Sequence, residues 1–336
     1  MKEMDICMGI DVSKDSLSVC LMEERERMQP RVLGTRSFAN GPEGFAALMS
    51  WGESKCRGAG CLYLMEATGV YHERLADELY ACGCSVSVEL PNKIKNYSRS
   101  LNVKTKTDSV DARVIARYGL EMPHPAWAPM TAALSDMRGA CRALADTKKE
   151  HVRMANRVHA LAHSSHALPD VVKTYRRIMK AQEKAVKELE AVILTLCGSD
   201  AEFDRRVDQM AAIKGVRKLT VIAVLCETNG FHLCSNVRQA ASYAGLDVTG
   251  YQSGTVARRG HISKKGNARI RQLLYLPAMV AGRYGPESIK GVFRRVEEKN
   301  PNAKKKAIIA AERKLLILIY RLWVKKEAYN PDYVHA

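Results

Sequence analysis

Before any helical pattern begins, this chain alternates apolar with other residues three times over. Ile6, Met8, Ile10 and Val12 make the first run, and residues two apart on a strand share one face. Leu17, Val19 and Leu21 make a second after a Lys14-Asp15 turn, and residues 31–39 suggest a third. Residues 42–50 follow as a helix opened by Pro42, with Phe45, Leu48 and Met49 on one side. A short apolar run at 61–65 reads as a buried strand, 71–81 as a helix carrying Leu75 and Leu79, and 85–90 as a strand closed by Pro91. A polar, basic stretch comes next, and Thr107 caps a helix starting near Asp108. The order β-β-β-α-β-α-β-α predicts an α/β domain with a mixed sheet, because three strands before the first helix do not suit a purely parallel one.

The pattern then changes. Residues 131–197 are helical almost throughout, broken by Pro169, with Leu144, Val152, Ala155, Val158 and Leu161 at three-four spacing. Two long helices of this kind suggest a coiled-coil hairpin or dimerisation arm, the alternative being an ordinary bundle packed on its own domain. From about 200 onwards the chain is again mainly α-helical. The string Ile213-Lys214-Gly215-Val216 hints at a helix-hairpin-helix turn, and 247–266 reads as a loop rich in Gly, Ser and basic residues. The expected organisation is therefore 1–125, 126–200 and 201–336.

Charge separates the same regions. Lys and Arg number 53 against 36 Asp and Glu, a net +17. Residues 1–90 are net −5, 91–180 net +10 and 181–336 net +12. An acidic front and a basic back fit a polyanion held by the later segments, so nucleic acid is the expected partner. The apolar runs are too short to span a bilayer, and no secretory leader precedes the first acidic residues. A cytoplasmic protein without a membrane partner is expected. The ten cysteines include no C-x-x-C pair, which argues against zinc ribbons and for reduced thiols. His159, His163 and His166 lie close together but lack further ligands nearby.

Four carboxylates carry the chemistry. Asp11 lies where the first strand ends, Glu66 follows a buried run, and Asp108 and Asp111 are three apart on a helix. Each alone could be a cap or a dipole partner. Together they are costly unless a cation neutralises them, and Mg²⁺ takes carboxylate oxygens along with substrate phosphate. The strings GIDVSK, MEATGVY and KTDSVDARVIARY resemble the DEDD transposases of bacterial insertion sequences, in particular those that act as bridge-RNA-guided recombinases. The resemblance implies an RNase H-like (RuvC-like) N-terminal domain, a helical coiled-coil middle and a mainly α C-terminal transposase domain. It gives the acidic roles to Asp11, Glu66, Asp108 and Asp111, with Mg²⁺ or Mn²⁺ as cofactor.

The stretch ASYAGLDVTGYQSGTVARRGHISKKGNARIRQLLYLPA is similar to the C-terminal domain of that family and places its nucleophilic serine at Ser253, ahead of Ser242 and Ser263. Relatives usually carry Pro-Gly where this chain has Lys214-Gly215. Lys104, Lys106, Arg113, Arg258, Arg259, Lys264, Lys265, Arg269 and Arg271 are the candidate contacts to nucleic acid, and Lys304-Lys305-Lys306 is a further basic run. The family implies transesterification through a 5′-phosphoserine, a guide (bridge) RNA, donor and target DNA, and a homodimer that pairs into a tetramer, at the bacterial nucleoid. Three other readings stand beside it: a RuvC-like nuclease using water, a nucleic-acid-binding protein without catalysis, and an actin-like sugar kinase, for which no Gly-rich phosphate loops follow.

Overall fold

The computed structural model describes residues 5–24, 30–67, 69–103, 107–253 and 256–330, with backbone only at 251–253 and 256–259. Two compact units divide the chain, Met1–Pro129 and Met130–Ala336.

In the first unit, β1 (Ile6–Val12), β2 (Ser16–Glu23) and β3 (Arg31–Ala39) pair antiparallel, and β4 (Cys61–Glu66) and β5 (Ser85–Glu89) run parallel to β1. The order is β3-β2-β1-β4-β5. This is the mixed sheet expected from three leading strands. Helices α1 (Pro42–Cys56) and α2 (Glu73–Ala81) follow β3 and β4. Ile6, Met8, Ile10, Tyr63 and Met65 are buried with Phe45, Leu48, Leu75 and Leu79 on the α1–α2 side. Cys7, Leu62 and Leu64 are buried on the opposite side with α3 (Pro91–Ser100) and α4 (Asp108–Glu121).

Helix α3 occupies part of the polar, basic stretch, where no helix was expected. Pro91 sits at its first turn, where a missing N–H costs nothing. Only Ile94 and Tyr97, three apart, are buried, too narrow an apolar stripe for periodicity to reveal.

The second unit is built on α5 (Ala132–Ala162) and α6 (Pro169–Gly198), which pair side by side. Lys148 meets Glu190 at 2.7 Å, and His151 approaches Glu183 at 3.9 Å, so the helices run antiparallel. Met137, Leu144, Ile193 and Cys197, near the base of this hairpin, share the core of the helices that follow. These are α7 (Ala201–Ala211), α8 (Lys218–Glu227), α9 (Val237–Tyr243), α10 (Ala268–Tyr284), α11 (Glu287–Lys299) and α12 (Lys304–Lys325). Between α9 and α10 the chain forms an antiparallel hairpin, β6 (Val248–Ser253) with β7 (Val256–Ile262). The composition of 247–266 reads as loop because its glycines and serines mask the strand pattern. Gly215 does turn the chain between α7 and α8, with φ +95°, but a side chain there would strike Val280 and Ala281 of α10. Its close approach serves helix packing. No helix among the described residues is long and apolar enough to cross a membrane.

Candidate active site

Strand alternation decides where the acids go. On β1, Cys7, Gly9 and Asp11 share the face covered by α4; on β4, Leu62, Leu64 and Glu66 share that same face. Ile10 pairs with Met65, so Asp11 and Glu66 stand one residue beyond a registered pair, at the carboxyl ends of adjacent parallel strands.

Helix α4 runs against β1 in the opposite sense. Cys7 underlies Gly119, and Gly9 underlies Ala116 and Ala112. Continuing that progression, Asp11 lies level with the first turn of α4, which holds Asp108 and Asp111. Thr107 starts this turn by accepting the Val110 N–H at 3.3 Å. Gly9 is what permits the approach, since any side chain would overlap the helix backbone. Asp108 is exposed; Asp11, Glu66 and Asp111 are half-buried.

The four candidate acids thus gather at one end of one sheet face. Their oxygens are the donors a hard divalent cation takes. As the side chains are placed, no group of three or more His, Cys, Asp or Glu among the described residues stands close enough to hold a metal ion. The fit therefore lies in donor chemistry and backbone placement.

A fifth acid, Glu89, pairs with Glu66 across β4–β5. It is 2% exposed and held by Lys93 at 2.9 Å and the Leu90 N–H at 3.2 Å. Sequence reasoning passed it over, though it ends the alternating strand 85–89 as Glu66 ends the apolar run 61–65. Burial pushes the Tyr118 phenol up to about 12, with the negative charge of Glu89 adding to the effect.

In the second unit, Ser253 ends β6 and pairs with Val256 across the tip of the hairpin. Three backbone hydrogen bonds extend the hairpin downwards as a stalk: Ser263 N–H to Asp247, Lys264 N–H to Gly245 and Asn267 N–H to Tyr243. The Ser263 hydroxyl bonds the Asp247 carboxylate. Gly245, at φ +66°, lies against Gly266 and Arg271, where a side chain would collide. Arg271 spans the stalk, donating to the Ala244 and Gly266 carbonyls.

Two family descriptions match this chain: "Transposase" over residues 8–166 and "Transposase IS116/IS110/IS902 family" over residues 207–292. Pilin gene-inverting proteins of Moraxella bovis and Moraxella lacunata are each 30% identical over 317 residues, 93% of this chain and 94% of theirs. The chain belongs to the IS116/IS110/IS902 family of transposases. Among solved structures, RuvC from Thermus thermophilus aligns with 36% of the transposase and 99% of its own chain, at 13% identity and a TM-score of 0.28.

The basic residues singled out in this transposase divide by position. Lys104 and Lys106 lie outside the described residues, as do the side chains of Ser253, Arg258 and Arg259. Arg113 is exposed on α4 and reaches the Cys20 thiol, which burial raises to about 11 against the opposing pull of Arg113. Lys264 and Lys265 are exposed at the hairpin base. Arg269 and Arg271 have partners within the fold: Arg269 meets both oxygens of Asp146, at 3.2 and 3.3 Å, and Arg271 braces the stalk. Helical spacing near a basic loop suggested an outward role for both, and long-range partners on α5 and the stalk were invisible to it.

Proposed function

We propose that this transposase cuts and exchanges DNA strands by metal-dependent transesterification, with Ser253 as nucleophile and a structured noncoding RNA choosing the sites. The observation that carries the reading is the placement of Asp11, Glu66 and the Asp108–Asp111 turn at one end of the α4-covered sheet face. Those four residues would hold Mg²⁺ or Mn²⁺, which when bound neutralises charge on a scissile phosphate.

The Ser253 Oγ attacks phosphorus, the bond to the 3′-oxygen breaks, and the serine proton is lost as the 3′-hydroxyl is released. A 3′-hydroxyl of the partner DNA then attacks the 5′-phosphoserine, and the proton returns to Ser253. One phosphoester replaces another at each step, so no nucleoside triphosphate is required. Lys264 and Lys265 stand where they can meet backbone phosphates. Relatives named for inverting a gene support strand exchange over plain hydrolysis.

Acids and serine lie in different units, and the reading brings the serine from a second protomer. The α5–α6 arm supports such a dimer: Val152, Leu168, Val171 and Ile178 are exposed apolar residues along it. The assembly works as a dimer or tetramer in the bacterial cytoplasm, at the nucleoid. Sequence choice falls to base pairing, and the basic surfaces hold nucleic-acid backbones.

The test is incubation of the protein, the transcript of the DNA flanking its gene, and element-end DNA with Mg²⁺. A covalent protein–DNA adduct mapped to Ser253 and lost in Ser253→Ala is expected. Cleavage retained in Ser253→Ala identifies a water-using nuclease.

A further inference from the structure

The stalk beneath the Ser253 hairpin stands on a buried carboxylate. Glu227, the last residue of α8, is 6% exposed. Arg142 of α5 grips it with two bonds, Nε to Oε1 at 2.7 Å and Nη2 to Oε2 at 2.9 Å. Its Oε2 also accepts from the Asn267 amide at 2.7 Å, and its backbone carbonyl accepts from the Tyr243 hydroxyl at 3.0 Å. Asn267 and Tyr243 are the lowest rung of the stalk, joined by a 2.7 Å backbone bond. Asn267 also caps α10 by accepting the Arg269 N–H at 2.9 Å. A second tie, Arg269 to Asp146, joins the same turn to α5; Arg142 and Asp146 are one helical turn apart.

We infer that Glu227 is a positioning residue: clamped by Arg142 to the arm helix, it holds through Asn267 the foot of the hairpin that carries Ser253. A buried charge is strongly disfavoured unless paired and fully hydrogen-bonded. Here the pairing connects three separate elements, α5, α8 and the start of α10. A nucleophile at the tip of a two-stranded ribbon is only as well aimed as the ribbon's base, and small misplacements cost much rate. The arm's orientation is thereby passed to the hairpin. The inference rests on the phosphoserine reading for its consequence, and on the hydrogen bonds alone for the link.

The experiment uses full-length protein. Asn267→Asp keeps an oxygen to cap α10 but loses its donor and sets a second negative charge against Glu227. Asn267→Ser, which keeps a capping hydroxyl but is too short to reach Glu227, stands in if Asn267→Asp fails to fold. Amide hydrogen exchange of residues 248–262 and the rate of adduct formation on element-end DNA with its transcript are both measured. Asn267→Asp should speed exchange in the hairpin and slow adduct formation by roughly ten- to a hundredfold, with DNA affinity unchanged; Asn267→Ser, which adds no charge, should shift both in the same direction by less. Hairpin exchange unaffected by both variants, or a loss of DNA affinity with the rate of adduct formation unchanged, overturns the inference. Absence of any Ser253 adduct in the unaltered protein overturns the phosphoserine reading instead, and the exchange comparison still decides the link.

Discussion

Gly9 lies directly beneath Ala116, so close that a methyl group on the strand residue would overlap the helix backbone nitrogen as well as the Ala112 carbonyl oxygen. This contact sets the level of α4 on the sheet, and with it the level of Asp108 and Asp111 relative to Asp11. Gly9→Ala should therefore act twice. Overpacking costs about 1–3 kcal/mol where side chains can yield, and here backbone faces backbone, so the upper end or more is expected. Urea unfolding followed at Trp51 and Trp127, both in the first unit, gives the loss. DNA cleavage should fall further than stability does, because any variant that folds must lift the first turn of α4. A Gly9→Ala protein with unchanged stability and cleavage contradicts the placement of α4.

Much of that arrangement was legible beforehand. The alternation of Ile6, Met8, Ile10 and Val12 fixes which face Asp11 occupies; the run before Glu66 is apolar at every position and shows that β4 is buried without showing which face Glu66 takes. Thr107 marks the start of α4 because its hydroxyl meets an otherwise unpaired N–H. What stayed hidden is long-range. Arg142 and Glu227 are 85 positions apart, on helices that carry no local sign of their pairing. Helix α3 and the β6–β7 hairpin were missed for a different reason: the first buries too few residues and the second is too rich in glycine and serine for periodicity to show.

The acids of the first unit make a prediction that separates catalysis from folding. Asp11→Asn, Glu66→Gln, Asp108→Asn and Asp111→Asn should each reduce strand cleavage by about a hundredfold or more, the scale seen when one preorganised electrostatic group is removed. Chelation should abolish cleavage, and added Mg²⁺ or Mn²⁺ should restore it. Thermal melting of Asp108→Asn and Asp111→Asn in chelator should stay close to that of the unaltered protein. Full cleavage in chelator would remove the metal from the mechanism. Glu89→Gln is the control. Glu89 is buried and tied to Lys93 and to the Leu90 N–H, so its loss should lower stability directly.

Glu312 predicts a pH dependence in the second unit. It is fully buried on α12, and neither carboxylate oxygen has a hydrogen-bond partner among the described residues. Burial pushes its pKa from 4.5 up to about 8, with Arg271 of α10 pulling the other way. The folded state thus keeps a proton that the unfolded chain releases. Stability from this group is complete below about pH 4.5 and is lost as pH rises through about 8. The slope across that window is at most about 1.4 kcal/mol per pH unit. Unfolding followed at Trp323 should show this decline, and Glu312→Gln should flatten it and be the more stable protein at about pH 9. Identical pH profiles for the two proteins rule the effect out.

The three serines near the hairpin can be told apart by what each is bonded to. Ser242 is exposed on α9, and Ser242→Ala should leave stability and adduct formation alone. Ser263 joins its hydroxyl to Asp247 and accepts the Lys265 N–H at 3.3 Å. Ser263→Ala should cost about 1 kcal/mol and loosen the base of the hairpin, slowing adduct formation without abolishing it. Ser253 sits at the tip, paired through its backbone with Val256, and Ser253→Ala should eliminate the adduct and strand exchange together. Digestion of the trapped adduct and mass spectrometry of the DNA-linked peptide provide the measurement. A linkage mapped to Ser263 would reassign the nucleophile to a residue already engaged with a carboxylate, and the hairpin tip would lose its catalytic role.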